Sequence, residues 1–397
     1  MTQATLDHIL GNHAGANADL AKAWLNQNGL PTRKNESWKY TNPDKFISGN
    51  LTAPKSKIDQ ALSDLSPYRI YFKGDKFDAS KSNLPSEITV KEAKTTASAL
   101  NDFSNALNAL NAKTTLSLTV AAKAVIDQPI IIIHDQEIAP NLEIVVESMA
   151  QVAFLEAFSP DLEHHALCTP KTTIDVKAAA KAQHIKTVIG GPEQIHIATT
   201  TASLARDATL DSFVFAAGSK LMRQDFVADI NESGAHVNAH GLFALRDNQH
   251  ADQHVTLNHK AAHTTSDQLF KMVLDDSSRG VFTGRLEIFK DAQKVDASQL
   301  NKNLVLSKKA HVDTRPQLLV HADDVKCAHG ATVGQLSPEE VFYLRSRGLP
   351  QDKAQKMLCH AFACDAVLRI ESQVLQTWVN NLLFENFEQF ALEKFEQ

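Results

Sequence analysis

The chain has 397 residues, enough for two or three domains or one elongated body with a large core. Lys and Arg total 40 against 46 Asp and Glu, a formal net charge of -6, and no basic run or basic–aromatic interleaving occurs, so nucleic acid is excluded as an expected partner. The first twenty residues lack a basic n-region and a continuous apolar stretch, and no later window is apolar for about 18 residues, so the expectation is a cytoplasmic protein that does not enter membranes.

Residues 4–28 read as one amphipathic helix, with Leu6, Ile9, Leu10, Leu20, Trp24 and Leu25 apolar and Gly29 as its stop. Glu36 to Pro43, which holds Trp38 and Tyr40, reads as a packed connector rather than a binding loop. From 44 to 110 the pattern is weak: a strand at Arg69 to Phe72, a turn at Lys73-Gly74-Asp75, and helical sequence over 97–111.

From about 115 the texture changes to short apolar or alternating runs. They include Leu116 to Val120, Ile130 to Ile133, Leu142 to Val146, Leu210 to Phe215 and Leu318 to Val320. No helical stretch of ordinary length separates them, which argues against strand–helix–strand repeats. Asn-Gly and Asp-Gly hairpin signals between alternating runs are missing, and the connectors hold Ala, Ser, Asp and Lys, as in Ala178 to Gln183. A mainly β chain built on a parallel β-helix therefore fits better than a sandwich or a propeller, although no strict repeat length emerges. The expected organisation is an N-terminal helical or mixed domain (1–110), a parallel β-helix core (111–336) and a C-terminal helical domain (337–397).

At the junction, Cys327 and His329 lie two residues apart, so on an extended strand both leave the same face. Gly330 and Gly334 are expected to bend the chain. Ser337-Pro338-Glu339-Glu340 then opens a helix, with Ser337 as cap, Pro338 in the first turn and Glu340 completing a capping box. Beyond it, Pro350 to Leu368 places Met357, Ala361, Cys364 and Leu368 on one face, which makes Cys364 the expected core thiol. The last segment puts Leu375, Trp378, Val379, Leu382 and Leu383 on one stripe, followed by Phe384, Phe387, Phe390 and Phe395. That surface either packs back on the N-terminal helices or awaits a partner.

Four cysteines with no Cys-x-x-Cys point to reduced thiols, and the 17 histidines are dense from His236 to His263. His236, Asn238 and His240 alternate along one strand face. His259 and His263 have the His-x-x-x-His spacing of a helical zinc site, but Lys260 stands where a zinc protease has its glutamate. The bland reading is that these histidines fill polar positions on a β-rich surface. Asp225, Asp229 and Asp252 are the candidates for a β-helix enzyme that cleaves saccharides, with no spacing that demands it. Phosphate loop, nucleophile elbow and dinucleotide fingerprint are all missing. Cys327 and His329 offer two ligands to a soft or borderline ion, and two are too few, so the rest must come from elsewhere in the fold or from another chain.

The stretch Ala322-Asp-Asp-Val-Lys-Cys-Ala-His-Gly-Ala-Thr-Val-Gly-Gln-Leu336, followed by Val341-Phe-Tyr-Leu-Arg-Ser-Arg-Gly-Leu349, resembles the SufB/SufD family of iron–sulfur cluster assembly proteins. Glu36-Ser-Trp-Lys-Tyr-Thr41, Asn303 to Ser307, Arg315-Pro316, and Asn258-His259 with His263-Thr264 look like further family landmarks, so the likeness covers the whole chain. Its length suits the SufD branch better than the longer SufB branch. The resemblance implies a right-handed parallel β-helix between helical ends, paired with SufB through the β-helix and bound by the SufC ATPase at its C-terminal helices. It implies a non-catalytic scaffold that binds no ATP itself and shares a transient iron–sulfur cluster or iron with SufB. Cys327 and His329 fall on the family's Cys-x-His at the SufB–SufD interface, with His329 the better ligand candidate. Phe342, Tyr343, Arg345, Arg347 and Gly348 match the part that docks SufC, while His321 departs from the family's usual apolar or aromatic residue. A homodimer is expected when the partner is missing, because an open β-helix edge invites self-pairing.

Overall fold

The structure, a computed structural model, describes residues 9–11, 15–47, 62, 64–73, 76–96, 100–135, 139–158 and 166–390. The chain begins with α1 (Ala18–Asn28), β1 (Arg69–Lys73), β2 (Lys76–Phe77), β3 (Ile88–Lys94) and α2 (Phe103–Asn111). Next come β4 (Thr114–Val120), β5 (Ile130–Asp135), β6 (Asn141–Val146), β7 (Gln151–Phe158), β8 (Ala166–Cys168), β9 (Lys171–Val176) and β10 (Lys181–Ile189). The longer strands follow: β11 (Gln194–Leu204), β12 (Thr209–Ala217), β13 (Leu221–Ile230), β14 (His236–Leu245) and β15 (His250–His259). The last are β16 (Thr265–Leu274), β17 (Arg279–Ile288), β18 (Asp296–Val305), β19 (His311–Val320) and β20 (Lys326–Gly334). Three helices close the chain: α3 (Pro338–Ser346), α4 (Gln351–Val367) and α5 (Gln373–Phe387).

The strands wind into a parallel β-helix of about seven turns, as expected. One sheet runs β2-β1-β5-β7-β10-β12-β14-β16-β18-β20, and the other runs β19-β17-β15-β13-β11-β9-β6-β4-β3 with β8 beside β11. Among the strands named here, β1 with β2 and β3 with β4 pair antiparallel and the other pairs are parallel. Parallel neighbours need a long crossover, and here the crossover is a whole strand of the opposite sheet. Thus β12 pairs with β14, and β13, which joins them, pairs with β11 and β15.

Register explains why no repeat length was legible. Lys181 faces Thr209, Thr209 faces His236, His236 faces Thr265 and Thr265 faces Asp296, steps of 28, 27, 29 and 31 residues. The variation sits in the corners, while strand alternation keeps apolar side chains inside. On β14, Val237, Ala239, Phe243 and Leu245 point into the lumen, and His236, Asn238 and His240 share the outer face as expected. One corner is held by a ladder of left-handed residues, one per coil: Lys123, Met149, Ala179, Asp207, Gly234, His263 and Lys294. Each donates its backbone N–H to the next coil, as Met149 does to Ala178 and Ala179 to Arg206. Most are not glycine, so turn chemistry leaves no signature in the sequence.

The first helix differs from the expected span of 4–28. Its residues 4–8 and 12–14 lie outside the described residues, and the described helix starts at Ala18. Gly15 and Ala16 turn their N–H groups to the carbonyls of Leu110 (3.0 Å) and Ala112 (2.8 Å) at the end of α2, so they leave the helical ladder. Gly29, at φ 68°, stops α1 as expected. Leu25, Trp38, Phe103 and Leu107 then pack on Ile195, Ile197 and Leu221, the outer face of β11 and β13.

The C-terminal helices cover the outer face of the other sheet, on β14 and β16, and not the N-terminal helices. Lys271 of β16 fixes α4 through the Phe362 carbonyl (2.7 Å) and Asp365 (2.7 Å). The face α4 buries is Ala354, Gln355, Cys359, Ala363, Ala366 and Val367. The expected face is therefore wrong: Met357 and Leu368 are exposed, and Cys364 is half-buried against His360 (3.2 Å). Small residues let the helix lie close to the sheet, and Cys359 is the core thiol, pushed up to about 12 by burial. On α5, Leu375, Val379 and Leu383 of the expected stripe are buried, Trp378 and Leu382 are half-buried, Phe387 is buried as well, and Phe384 is exposed and lies tilted against His360. Phe395 and most of the Lys73-Gly74-Asp75 turn lie outside the described residues. No helix among the described residues is long and apolar enough to cross a membrane.

Candidate functional site

The β-helix ends on two uncapped strands. Among the described residues β20 pairs only with β18 and β19 only with β17, so both sheets present an edge of unpaired backbone groups. Pro316 in the middle of β19 suits an edge, since it has no N–H to give a ladder. Contrary to expectation, Gly330 does not bend the chain, and β20 runs straight through it to Gly334. Without a Cβ, Gly330 leaves room beside Leu300 of β18.

Cys327 pairs with Ala297 and His329 with Gln299. Both partners are buried on the lumen side of β18, so Cys327 and His329 share the inner face at the mouth of the solenoid. His329 is exposed and Cys327 is half-buried. Burial raises the Cys327 thiol, and Asp296 beside it adds to the effect, so the thiol form is favoured. Among the described residues no group of three or more His, Cys, Asp and Glu side chains could hold a metal by itself.

Behind the mouth, one inner row runs His184, Ser212, Ala239, Gln268, Gln299, His329 from strand to strand. Its deep end is an ionic cluster that sequence reasoning missed. Glu156, fully enclosed, accepts from His134 (3.2 Å), His184 (2.9 Å) and Thr172 (3.0 Å), and Lys186 stands 3.3 Å away. Burial pushes the Glu156 carboxyl up, but Lys186 and the two histidines outweigh it and hold it well below the usual carboxylate range. His196 nearby is driven down to about 3 by burial. A glutamate at an inward position of the apolar run Val152 to Phe158 was the signal available. A cavity of about 20 Å³ follows, lined by Lys186, Thr200, Gln224 and Gln253.

The Glu36 to Thr41 loop forms short 3₁₀ turns and packs as a connector, as expected. Arg223, buried on the outer face of β13, bonds Asp252 (2.7 Å), Asp225 (2.8 Å) and the Ser37 carbonyl (2.8 Å), and Trp38 covers it. Thr41 reaches buried His250 (2.8 Å), Tyr40 is half-buried, and Glu36 pairs with Arg315 on β19. Asp225 and Asp252 are therefore committed to a guanidinium, and Asp229 to Lys260 (2.8 Å), rather than to an acid–base pair. His259 ends β15 with both ring nitrogens engaged, by Thr264 (2.8 Å) and Ser266 (2.9 Å), and His263 sits at the left-handed corner. The zinc spacing thus falls on a strand end and a turn, not on a helix, and brings no ligand pair together.

On α3 the Ser337 hydroxyl accepts from the Glu340 N–H (3.2 Å), as a helix cap does, and donates its own proton to the Glu339 carboxylate (2.7 Å). Only Val341 of this helix is buried. Phe342 and Tyr343 are 66% and 57% exposed, Arg345 is exposed, and Arg347 lies 5.3 Å from the Tyr343 ring centre. Gly348, at φ 92°, ends the helix in open space. The arrangement is an aromatic and cationic face beside the solenoid mouth.

The sequence profile described as "SUF system FeS cluster assembly, SufBD core domain" matches residues 131–362. The chain is 30% identical over 381 residues to the iron–sulfur cluster assembly protein SufD of Escherichia coli, covering 89% of each chain. It is also 30% identical to an iron–sulfur cluster assembly SufBD family protein of Synechocystis sp., covering 95% of this chain and 91% of that one. With SufD of Bacillus subtilis it shares 38% identity over 95 residues, 24% of this chain and 22% of that one.

Proposed function

The chain belongs to the SufB/SufD family of the SUF iron–sulfur cluster assembly system, and on that premise we propose that it is a non-catalytic scaffold subunit whose β-helix mouth pairs with SufB. The observation that carries this reading is His329: an exposed imidazole on the inner face of an edge strand open on one side, with too few ligands among the described residues around it to hold iron alone. Pairing a second β-helix onto β20 and β19 would satisfy both edges and bring another chain's ligands to the same mouth. The nascent cluster is cargo, shared across that interface and passed on. Cys327, kept as a thiol by burial, fills space beside it and ligates only if iron displaces its proton. The face of Phe342, Tyr343, Arg345, Arg347 and Gly348 docks the SufC ATPase, and this chain binds no nucleotide. Cytoplasmic residence and self-pairing through β20 in the absence of SufB belong to the same reading.

Anaerobic reconstitution of the complex with SufB and SufC, read by visible absorption and bound iron, tests the ligand role. His329→Ala is expected to leave the complex assembled and to lose most of its cluster. Full cluster in an intact His329→Ala complex would reduce this chain to an architectural arm.

A further inference from the structure

Gln299 is 2% exposed on the inner face of β18, in register with Gln268 on one side and His329 on the other. Its amide nitrogen donates to Gln268 Oε1 at 3.1 Å, and its own Oε1 has no partner. The oxygen and nitrogen of an amide diverge from one trigonal carbon, so with the nitrogen bonded to Gln268 the oxygen is directed away from that partner, and the neighbouring strand on the free side carries His329. A buried acceptor left unpaired costs about 1–3 kcal/mol, so a donor is wanted at that point. On the facing sheet Gly284 makes room for this amide: a Cβ there would stand 2.3 Å from Gln299 Nε2 and push the side chain out of its present place.

In-register neighbours on one face of a sheet are about 4.8 Å apart, within reach of an imidazole N–H and an amide oxygen. A neutral imidazole has one donor and one acceptor nitrogen, and the hydrogen bond made by the first decides which lone pair is left for a metal. We propose that Gln299 is the positioning residue for His329: its amide oxygen accepts one ring N–H, fixing the tautomer and aiming the other nitrogen into the mouth of the β-helix. This rests on His329 being a cluster or iron ligand, and it extends that reading to the shell behind the ligand, where such hydrogen bonds raise affinity. Cys327 has no equivalent, since its in-register neighbour is Ala297. Competing donors are Thr314 on β19, whose buried Oγ1 also lacks a partner, and Gln268, whose amide nitrogen is likewise buried without one.

The test is ring ¹⁵N NMR of His329 in the full apo chain, at a pH where the ring is neutral, for the wild type, Gln299→Leu and Gln299→Glu. One dominant tautomer is expected in the wild type and in Gln299→Glu, which keeps the acceptor, and a mixture in Gln299→Leu. In the SufB-paired complex, iron binding should weaken roughly 10–100-fold in Gln299→Leu and recover in Gln299→Glu. An unchanged tautomer in a folded Gln299→Leu chain overturns the proposal and assigns the Gln299 oxygen to Thr314, the Gln268 amide or water. The tautomer result stands apart from the ligand role: cluster loss in His329→Ala with no tautomer change in Gln299→Leu defeats only the positioning claim. Full cluster in His329→Ala defeats the ligand reading, and the NMR still decides the hydrogen bond.

Discussion

The guanidinium of Arg223 lies 3.9 Å from the centre of the Trp38 ring, so a residue of the N-terminal connector forms the lid on a buried charge of the β-helix. Arg223 and its partner Asp252 are both almost fully enclosed. Trp38 and the Ser37 carbonyl thus hold the connector to the solenoid.

Trp38→Ala should cost about 3–5 kcal/mol, for the lost ring and for water reaching the pair. Arg223→Met should cost a similar amount by leaving Asp252 buried without its counter-charge, and replacing Asp252 by Leu as well should restore part of it. Urea unfolding of the three variants is the check. Equal midpoints for all of them and the wild type would mean that the connector does not depend on this cluster.

The lumenal cluster gives a second expectation. Glu156→Gln removes the carboxylate shared by Lys186, His134 and His184, and strands an ammonium whose side chain is 3% exposed. A loss of about 3–5 kcal/mol follows, and Glu156→Gln with Lys186→Met should be milder than Glu156→Gln alone. Denaturation of the single and double variants measures the coupling, and strict additivity would deny the contact.

Stability should fall on mild acidification. Burial holds His240, His250 and His259 down to about 4 and His196 down to about 3, from an ordinary value of 6.5. Because the folded values are depressed, the unfolded chain binds more protons between pH 6.5 and about 4, so stability is complete above pH 6.5 and drains away as pH falls toward the folded values. Each ring contributes on the order of 2–3 kcal/mol across that window. Urea midpoints at pH 7.5, 6 and 5 should decline in that order, and a flat series would mean that these rings are open to water.

Arg347→Glu reverses a charge on the exposed aromatic face of α3 while leaving Val341, its buried anchor, in place. The fold should be unaffected and SufC binding roughly tenfold weaker by titration calorimetry. Unchanged affinity would remove this face from the docking surface.

Much of this architecture was legible from alternation alone. Runs such as Leu116 to Val120 and Leu142 to Val146 became β4 and β6, and the two-residue spacing of Cys327 and His329 did place both on one face. The α4 face was misjudged because Met357 and Leu368 are large and apolar, whereas packing on the sheet selected the small Ala363 and Cys359. The Glu156 cluster and Gln299 stayed hidden for another reason. Their partners lie about a coil away, at separations such as 22, 28 and 31 residues, which one-dimensional spacing does not bring together.

The unequal coils have a consequence for how this chain can change. A residue added at a corner lengthens one coil and leaves every inward side chain inward, whereas a residue added inside a strand turns the remainder of that strand inside out. Growth and shortening are therefore absorbed at the rims of the stack. The row that ends at His329 stays aligned through such drift, much as the steps of a spiral stair keep their tread while the railing is rebuilt.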